Sequence, residues 1–342
     1  MAVINVGIIG LGRLGASVAL AVKRYQQGAA NRQPFVVAGY DVRPDVVRIA
    51  KTQGAFAEIT SSLVAAVRDK DIVVLALPYA DVPEAFALMA GQLKPGAVVI
   101  DFSVLSVPSL GWAAPLEAGD AHLVGATPVL NADYLFDGKD DIRHAAPDLF
   151  LGGAMLLSPS VKAHPDAVEL ASDFAAVLGT TPRFVDPYEH DGWMASVELL
   201  PMLLGVAGFR AVRSLEGWDE AQRAANANFG RLTHGLADGY PDDLRALLLQ
   251  NRDAVLRAID AQIASLRELR TVLAAGDGHA LAEAFDAEYE AYNDWLAHRM
   301  SGQWETTEEK PRVNPGDAVM TGFLGGYLSR RLRGGKGSAD GE

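Results

Sequence analysis

The stretch Val3-Ile4-Asn5-Val6-Gly7-Ile8-Ile9-Gly10-Leu11-Gly12-Arg13-Leu14-Gly15 joins an apolar, β-branched run to three glycines spaced as G-x-G-x-x-G. Such a run reads as a buried strand, and the glycines open a helix expected over Arg13–Tyr25. Gly10 supplies the tight turn. Gly12 lets the backbone approach a pyrophosphate, where a Cβ would collide, and Gly15 lets the helix pack close to the strand. The N–H groups at the helix start, those of Arg13 and Leu14 included, then hold phosphate oxygens. Gly10, Gly12, Arg13, Leu14 and Gly15 are therefore the expected cradle of a dinucleotide.

Gly39-Tyr40-Asp41 ends a second strand-like run, Phe35–Tyr40. A carboxylate there accepts hydrogen bonds from the adenosine ribose hydroxyls and repels a 2′-phosphate. Asp41 lies 26 residues after Gly15, and the Gln26–Pro34 segment reads as a lengthened loop that absorbs the extra distance. Arg43, two residues on, is placed to pair with a 2′-phosphate. NAD is thus the expected cofactor and NADP the alternative. Leu77 and Pro78, closing the run Ile72–Leu77, join the cofactor-binding set.

Working outward, further strand-like runs appear at Val98–Ile100, Leu123–Gly125, Ala154–Leu157 and Arg183–Val185, with crossover helices at Pro44–Gln53 and Val82–Gln92. Near-continuous apolar strands alternating with helices imply a parallel sheet covered on both faces. The pattern changes at Asp186-Pro187-Tyr188-Glu189, which carries an N-cap, a proline at the first helical position and a glutamate three after the cap. Helices are expected over Glu189–Leu215, Asp242–Ala275 and Ala280–Met300. Residues 301–316 read as a polar loop, Asp317–Leu332 as a last short helix and Arg333–Glu342 as a disordered tail. The expected fold is an α/β N-terminal Rossmann-type parallel sheet, residues 1–186, followed by an all-α C-terminal domain, residues 187–332.

The 342 residues suffice for two domains with real cores. A net charge of -13 argues against nucleic acid, which needs clustered Lys and Arg. The absence of cysteine excludes disulfides, a cysteine nucleophile and thiolate metal sites, and fits a reducing cytoplasm. The N-terminus has no basic n-region, so a strand is read there in place of a signal peptide. No stretch reaches 18 uninterrupted apolar residues, so no membrane span is expected. No histidine pair has metal-ligand spacing, and no metal is expected.

These motifs resemble the prephenate/arogenate dehydrogenase family over most of the chain. VGIIGLGRLGASVALAVK and AGYDVRP resemble its first βαβ unit, DIVVLALP and VVIDFSVLS its later strands, and DLFLGGAMLLSP its strand ending in Thr-Pro. DPYEHDGWMASVELLP resembles the start of its helical domain, and the helix through Ala246–Leu273 its dimer-forming helix. The resemblance implies oxidative decarboxylation of a cyclohexadienol, with hydride passing to the nicotinamide. In the family a histidine takes the hydroxyl proton, a serine supports it and an arginine holds a substrate carboxylate. It also implies a homodimer built on the C-terminal helices.

This chain departs from the family at those positions. Thr127 of Gly125-Ala126-Thr127-Pro128 stands where the family has its catalytic histidine, and a threonine hydroxyl is a poor base near neutral pH. Ser103 of Phe102-Ser103-Val104-Leu105 is the candidate for the supporting serine, without the family's lysine. Glu198-Leu199-Leu200-Pro201-Met202 lacks both histidines of the corresponding family segment. His234 occupies the position of the substrate arginine. Arg231 is three residues away, nearly a full helical turn.

Ser103, Thr127, Glu198 and His234 are therefore the catalytic candidates. Glu198 reads equally as a pocket acid or a solvated carboxylate, and His234 as an anion binder when protonated or a loop histidine. His190 of the Glu189-His190-Asp191 triplet reads first as a residue pinning its helix. Asp137, Asp140 and Asp141 read as a solvated charge run.

The resulting expectation is a cytoplasmic, dimeric, NAD(P)-dependent oxidoreductase of a small carboxylate-bearing substrate, with an altered substrate pocket between the domains. The rivals are a dehydrogenase or reductase of another hydroxy acid or imine, and a non-catalytic NAD(P)-binding sensor. The first rival typically uses a helix lysine, and none occurs between Lys162 and Lys310.

Overall fold

The computed structural model describes residues 2–28, 32–238 and 240–304. The expected helix 317–332, with Phe323, Leu324, Tyr327 and Leu328 as a clamp on a partner, and the tail 333–342 lie outside the described residues. Over the described residues the chain forms two compact units, the first ending at Pro187 and the second beginning at Tyr188.

The first unit is built on β1 (Ile4–Ile9), β2 (Phe35–Tyr40), β3 (Glu58–Ile59), β4 (Ile72–Leu75), β5 (Val98–Asp101), β6 (His122–Val129), β7 (Ala154–Pro159) and β8 (Thr181–Phe184). These make one sheet in the order β3-β2-β1-β4-β5-β6-β7-β8. Every neighbouring pair is parallel except β6 and β7. Around it lie α1 (Arg13–Gln26), α2 (Pro44–Gln53), α3 (Leu63–Val67), α4 (Val82–Met89), α5 (Ser106–Gly111), α6 (Ala114–Glu117) and α7 (Pro165–Leu178).

The alternation of β1 explains the two covered faces. Ile4, Val6 and Ile8 join a core with Val18 and Val22 of α1 and Phe174 of α7. Ile9 faces the other way, with Val73, Leu75 and Val99, against Val82, Phe86 and Met89 of α4. β4 and the apolar part of β5 are buried throughout, which is why they read as unbroken runs.

The antiparallel step fixes where one long connection runs. β6 is parallel to β5 and so ends at the carboxyl edge of the sheet, and β7 starts back from that same edge. The segment 130–153 therefore stays beside the turns that follow β1, β4 and β5. β6 extends beyond the predicted Leu123–Gly125, because Thr127 and Pro128 find antiparallel partners in Leu156 and Met155.

The second unit contains α8 (Pro187–Met194), α9 (Leu200–Arg213), α10 (Trp218–Ala221), α11 (Ala227–Thr233), α12 (Gly235–Asp238), α13 (Pro241–Gln250), α14 (Arg252–Ala275) and α15 (Gly278–Ser301). The expected helix Glu189–Leu215 is interrupted by a π turn at Ala195–Leu199. Pro201 follows it and has no N–H to return to the preceding turn, which accounts for the widened backbone. The expected helix Asp242–Ala275 is split at Asn251, whose backbone leaves helical geometry at φ -118° and ψ 30°. α9 approaches α11 through glycines: a Cβ on Gly205 would stand 2.8 Å from the Leu232 carbonyl oxygen. Phe209, Trp218 and Phe229 pack around one another with centroids about 6 Å apart.

The helical run Pro187–Arg213 is long and apolar enough, by length and composition, to cross a bilayer, with a mean hydropathy of 1.5 over its best window. The test on uninterrupted apolar residues passed over this helix because Ser196, Glu198 and Pro201 break the run.

Candidate active site

At the end of β1, Gly10 adopts φ 88°, and its N–H donates to the Tyr40 carbonyl at 2.9 Å. A side chain is excluded there on two counts: the left-handed backbone and a Cβ position 2.2 Å from the Ala76 carbonyl oxygen. Gly15 is held as tightly, with its Cβ position 1.9 Å from the Gly10 carbonyl oxygen. Gly12 differs. It is the N-cap of α1, and the nearest atom to its Cβ position is a guanidinium nitrogen of Arg43 at 3.7 Å. Gly15 thus draws α1 against β1 and Gly10 draws the turn against the end of β4, while Gly12 leaves room above the first turn of α1. The N–H groups of that turn lack intrahelical acceptors by helix geometry. The arrangement fits a pyrophosphate lying on the helix start. Leu77 reaches toward the same turn, its Cδ2 3.2 Å from the Gly10 Cβ position, and Pro78 caps the short helical turn Tyr79–Asp81.

Asp41 sits beside this turn. Its Oδ2 accepts from the Leu11 N–H at 2.8 Å, and its Oδ1 from the Arg43 N–H at 2.9 Å. The Arg43 guanidinium grips both oxygens at 3.0 Å. Burial pushes the Asp41 carboxyl up, but the Arg43 side chain and the two amides outweigh it and hold the group below the usual carboxylate range.

Arg13 has a buried side chain turned away from solvent. Its guanidinium pairs with both oxygens of Asp137, at 3.0 and 2.5 Å, donates to the carbonyls of Lys139 and His144, and lies 5.3 Å from the centre of the Tyr134 ring. The reading of Asp137 as part of a solvated run is corrected: it fastens segment 130–153 to the glycine turn at the start of α1. The Arg13 side chain serves that latch, and what Arg13 offers the cradle is its main chain.

At the neighbouring strand ends, Ser103 and Thr127 come together. The Thr127 hydroxyl donates to the Ser103 carbonyl at 3.2 Å, and the Ser103 hydroxyl donates to Asp101 Oδ1 at 2.9 Å. Ser109 donates to the other Asp101 oxygen. Burial pushes the Asp101 carboxyl above its usual range, and these hydroxyls and the Ser103 amide offset only part of the effect. Sequence reasoning missed Asp101. The signal was present, since an acid ends the apolar run Val98–Asp101 as another follows Phe35–Tyr40.

Glu198 and His234 belong to the second unit, and Ser103 and Thr127 to the first. Glu198 is exposed on the π turn, and His234 is exposed as the C-cap of α11. His190 is wholly buried, with its Nδ1 2.9 Å from Asp191 Oδ1, and the Asp191 carbonyl accepts from the Asn251 side chain at 2.6 Å. The triplet therefore ties the start of α8 to the α13–α14 corner.

A doubly covered parallel sheet with a glycine cradle at its first strand end, followed by a helical unit, defines a dinucleotide-binding oxidoreductase scaffold. Residues 5–104 match the family described as coenzyme F420-dependent NADP oxidoreductase, and residues 186–287 the dimerization domain of prephenate dehydrogenase. The chain is 25% identical over 285 residues to the cyclohexadienyl dehydrogenase of Zymomonas mobilis, covering 82% of this chain and 92% of that protein. It is 24% identical over 303 residues to the prephenate dehydrogenase of Bacillus subtilis, covering 86% and 76%. The fold matches the solved prephenate dehydrogenase of A. aeolicus at a TM-score of 0.71 with 21% identity, over 86% of this chain and 99% of that one. It matches the Synechocystis arogenate dehydrogenase at 0.64 with 19% identity, over 85% and 100%. Over more than four fifths of its length the chain is thus similar to prephenate and cyclohexadienyl dehydrogenases.

Proposed function

We propose that this protein is an NAD(P)-dependent dehydrogenase of the prephenate dehydrogenase type, acting on a small carboxylate-bearing substrate through a rewritten substrate site. The observation that carries the reading is the cradle: Gly10 and Gly15 are sterically locked, Gly12 is open, and Asp41 lies at the adjacent strand end. The nicotinamide, when bound, takes the hydride. The first turn of α1 holds the pyrophosphate, and Asp41 with Arg43 meets the adenosine ribose. Ser103 and Thr127 are the hydroxyls offered at the carboxyl edge of the sheet. On the helical unit, His234 is the candidate anchor for a substrate carboxylate when protonated, and Glu198 the candidate acid.

The domain assignment follows: 1–186 for the cofactor, and 187–332 for substrate and dimerization. We further propose a cytoplasmic homodimer. Ile263, Leu266, Leu269 and Leu273 of α14, and Phe285, Tyr292 and Trp295 of α15, are each more than a third exposed in the single chain. Apolar faces of this extent call for a cover. The match of residues 186–287 to a dimerization domain favours a second copy over a bilayer for these faces and for Pro187–Arg213.

The test is turnover on a panel containing prephenate, arogenate and related hydroxy acids, followed by reduced nicotinamide absorbance. The reading expects reduction of NAD or NADP with a panel member and slow turnover of prephenate and arogenate themselves. Brisk turnover of either would overturn the rewritten site. Cofactor binding with no turnover anywhere on the panel would overturn the enzyme assignment.

A further inference from the structure

We propose that Arg43 makes this chain a binder of the 2′-phosphorylated cofactor, so that NADPH is held at least as tightly as NADH. The inference rests on the cofactor reading above and deepens it. An acid at the end of the second strand ordinarily selects NAD, because its charge repels a 2′-phosphate and its oxygens take the ribose hydroxyls. Both functions are altered in this chain.

The charge of Asp41 is cancelled locally. The Arg43 guanidinium meets the carboxylate in a two-pronged pair, Nε to Oδ1 and a terminal nitrogen to Oδ2, each at 3.0 Å. The acceptor capacity of Asp41 is also heavily committed, since the amides of Leu11 and Arg43 donate to the same two oxygens. The Asp41 side chain is 3% exposed, against 44% for Arg43. What the site presents to solvent at the adenosine end is therefore more cation than anion.

Arg43 is also in the right place. A terminal guanidinium nitrogen lies 3.7 Å from the Cβ position of Gly12, beside the start of the helix that receives the pyrophosphate. A guanidinium binds a phosphate monoester through charge-assisted hydrogen bonds, and here a 2′-phosphate would share Arg43 with Asp41. The other arginine at this turn does not compete for the task. Arg13 is 5% exposed, against 44% for Arg43, so its guanidinium is out of reach of a ligand in solvent. Replacing Arg43 removes no main-chain contact, because its N–H to Asp41 is kept by any residue except proline.

The experiment is equilibrium titration of the full-length protein with NADPH and with NADH, read by nicotinamide fluorescence. It is repeated with 2′,5′-ADP and 5′-ADP as fragments that differ only in the 2′-phosphate. Wild type is expected to bind NADPH as tightly as NADH or more tightly, and 2′,5′-ADP more tightly than 5′-ADP. Arg43→Ala should weaken NADPH by about 10- to 100-fold, the loss typical of hydrogen bonds to a charged group. It should weaken NADH by much less, so that the NADPH-to-NADH affinity ratio falls at least about tenfold. Arg43→Lys should fall between. A wild type that binds NADH more than about tenfold tighter than NADPH overturns the inference, as does an Arg43→Ala variant that weakens both cofactors equally. Failure to bind either cofactor overturns the cofactor reading itself, and is distinguished by the absence of any signal with NADH.

Discussion

Gly15→Ala isolates the packing that creates the cradle. The new methyl would stand 1.9 Å from the Gly10 carbonyl oxygen, 3.0 Å from its carbonyl carbon and 3.2 Å from Ile8 Cγ2. Carbon–oxygen contacts settle at about 3.3–3.6 Å, so α1 must retreat from β1 by roughly 1.5 Å at this point. The oxygen belongs to backbone, so no side chain can swing aside to absorb the overlap. Overpacking of this kind costs about 1–3 kcal/mol, and a backbone clash belongs at the upper end. Alanine returns up to about 1 kcal/mol of helix propensity. The net is a loss of about 2 kcal/mol, roughly a 30-fold shift in the folding equilibrium. A matched control is Gly230→Ala in α11, where no atom lies within 4 Å of the Cβ position. There the propensity gain stands alone, at about 1 kcal/mol of stabilisation. Urea denaturation of both variants measures the difference, and NADH and NADPH titrations show whether displacement of α1 also weakens the cofactor. The reasoning is refuted if Gly15→Ala matches Gly230→Ala in midpoint and binds cofactor like wild type.

Further outcomes follow from the charged groups. Asp137→Ala leaves the buried Arg13 guanidinium without its carboxylate, at a cost of about 2–3 kcal/mol given the partial exposure of Asp137. Arg13 holds the Asp137 carboxyl below its usual range. The stabilisation is therefore present above the unfolded value of about 4 and fades as pH falls through the lower folded value, so the two proteins should converge in urea titrations in acid. Asp173 in α7 is pushed up to about 6 by burial and by Glu169. Its neutral form stabilises fully below the unfolded value of about 4, and that contribution is lost as pH rises through about 6. Asp173→Asn should exceed wild type by about 1–2 kcal/mol near pH 8 and match it near pH 4, a comparison that thermal midpoints decide.

What was legible in the sequence was local. The glycine turn shows itself because left-handed backbone and close helix–strand approach both leave glycine as the workable residue. β2 and α2 were bounded correctly because a β-branched run, Pro44 and Gly54 mark their ends. β3 escaped notice because two residues on a sheet edge carry no periodicity. The long C-terminal helix was drawn unbroken because its apolar spacing runs through Asn251. The break is set by a side-chain bond from Asn251 to Asp191, 60 residues away. The site shows the same division. Asp41 lies near the turn it contacts, so the sequence places it there. Asp137 meets Arg13 across 124 residues, and only the folded chain shows that an acid in a polar loop is the partner of a buried arginine. Ser103 and Thr127 emerged as candidates from family positions, whereas Asp101, which Ser103 contacts directly, needed the strand end and α5 to be brought together.

The reversal between β6 and β7 has an evolutionary corollary. Because both ends of segment 130–153 emerge from the same edge, its length and composition can be rewritten without re-registering a strand or moving a crossover helix. Descendants of this scaffold can thus diversify what borders the glycine turn while inheriting the sheet unchanged. The bond between Arg13 and Asp137 limits that freedom to variants that keep the segment moored.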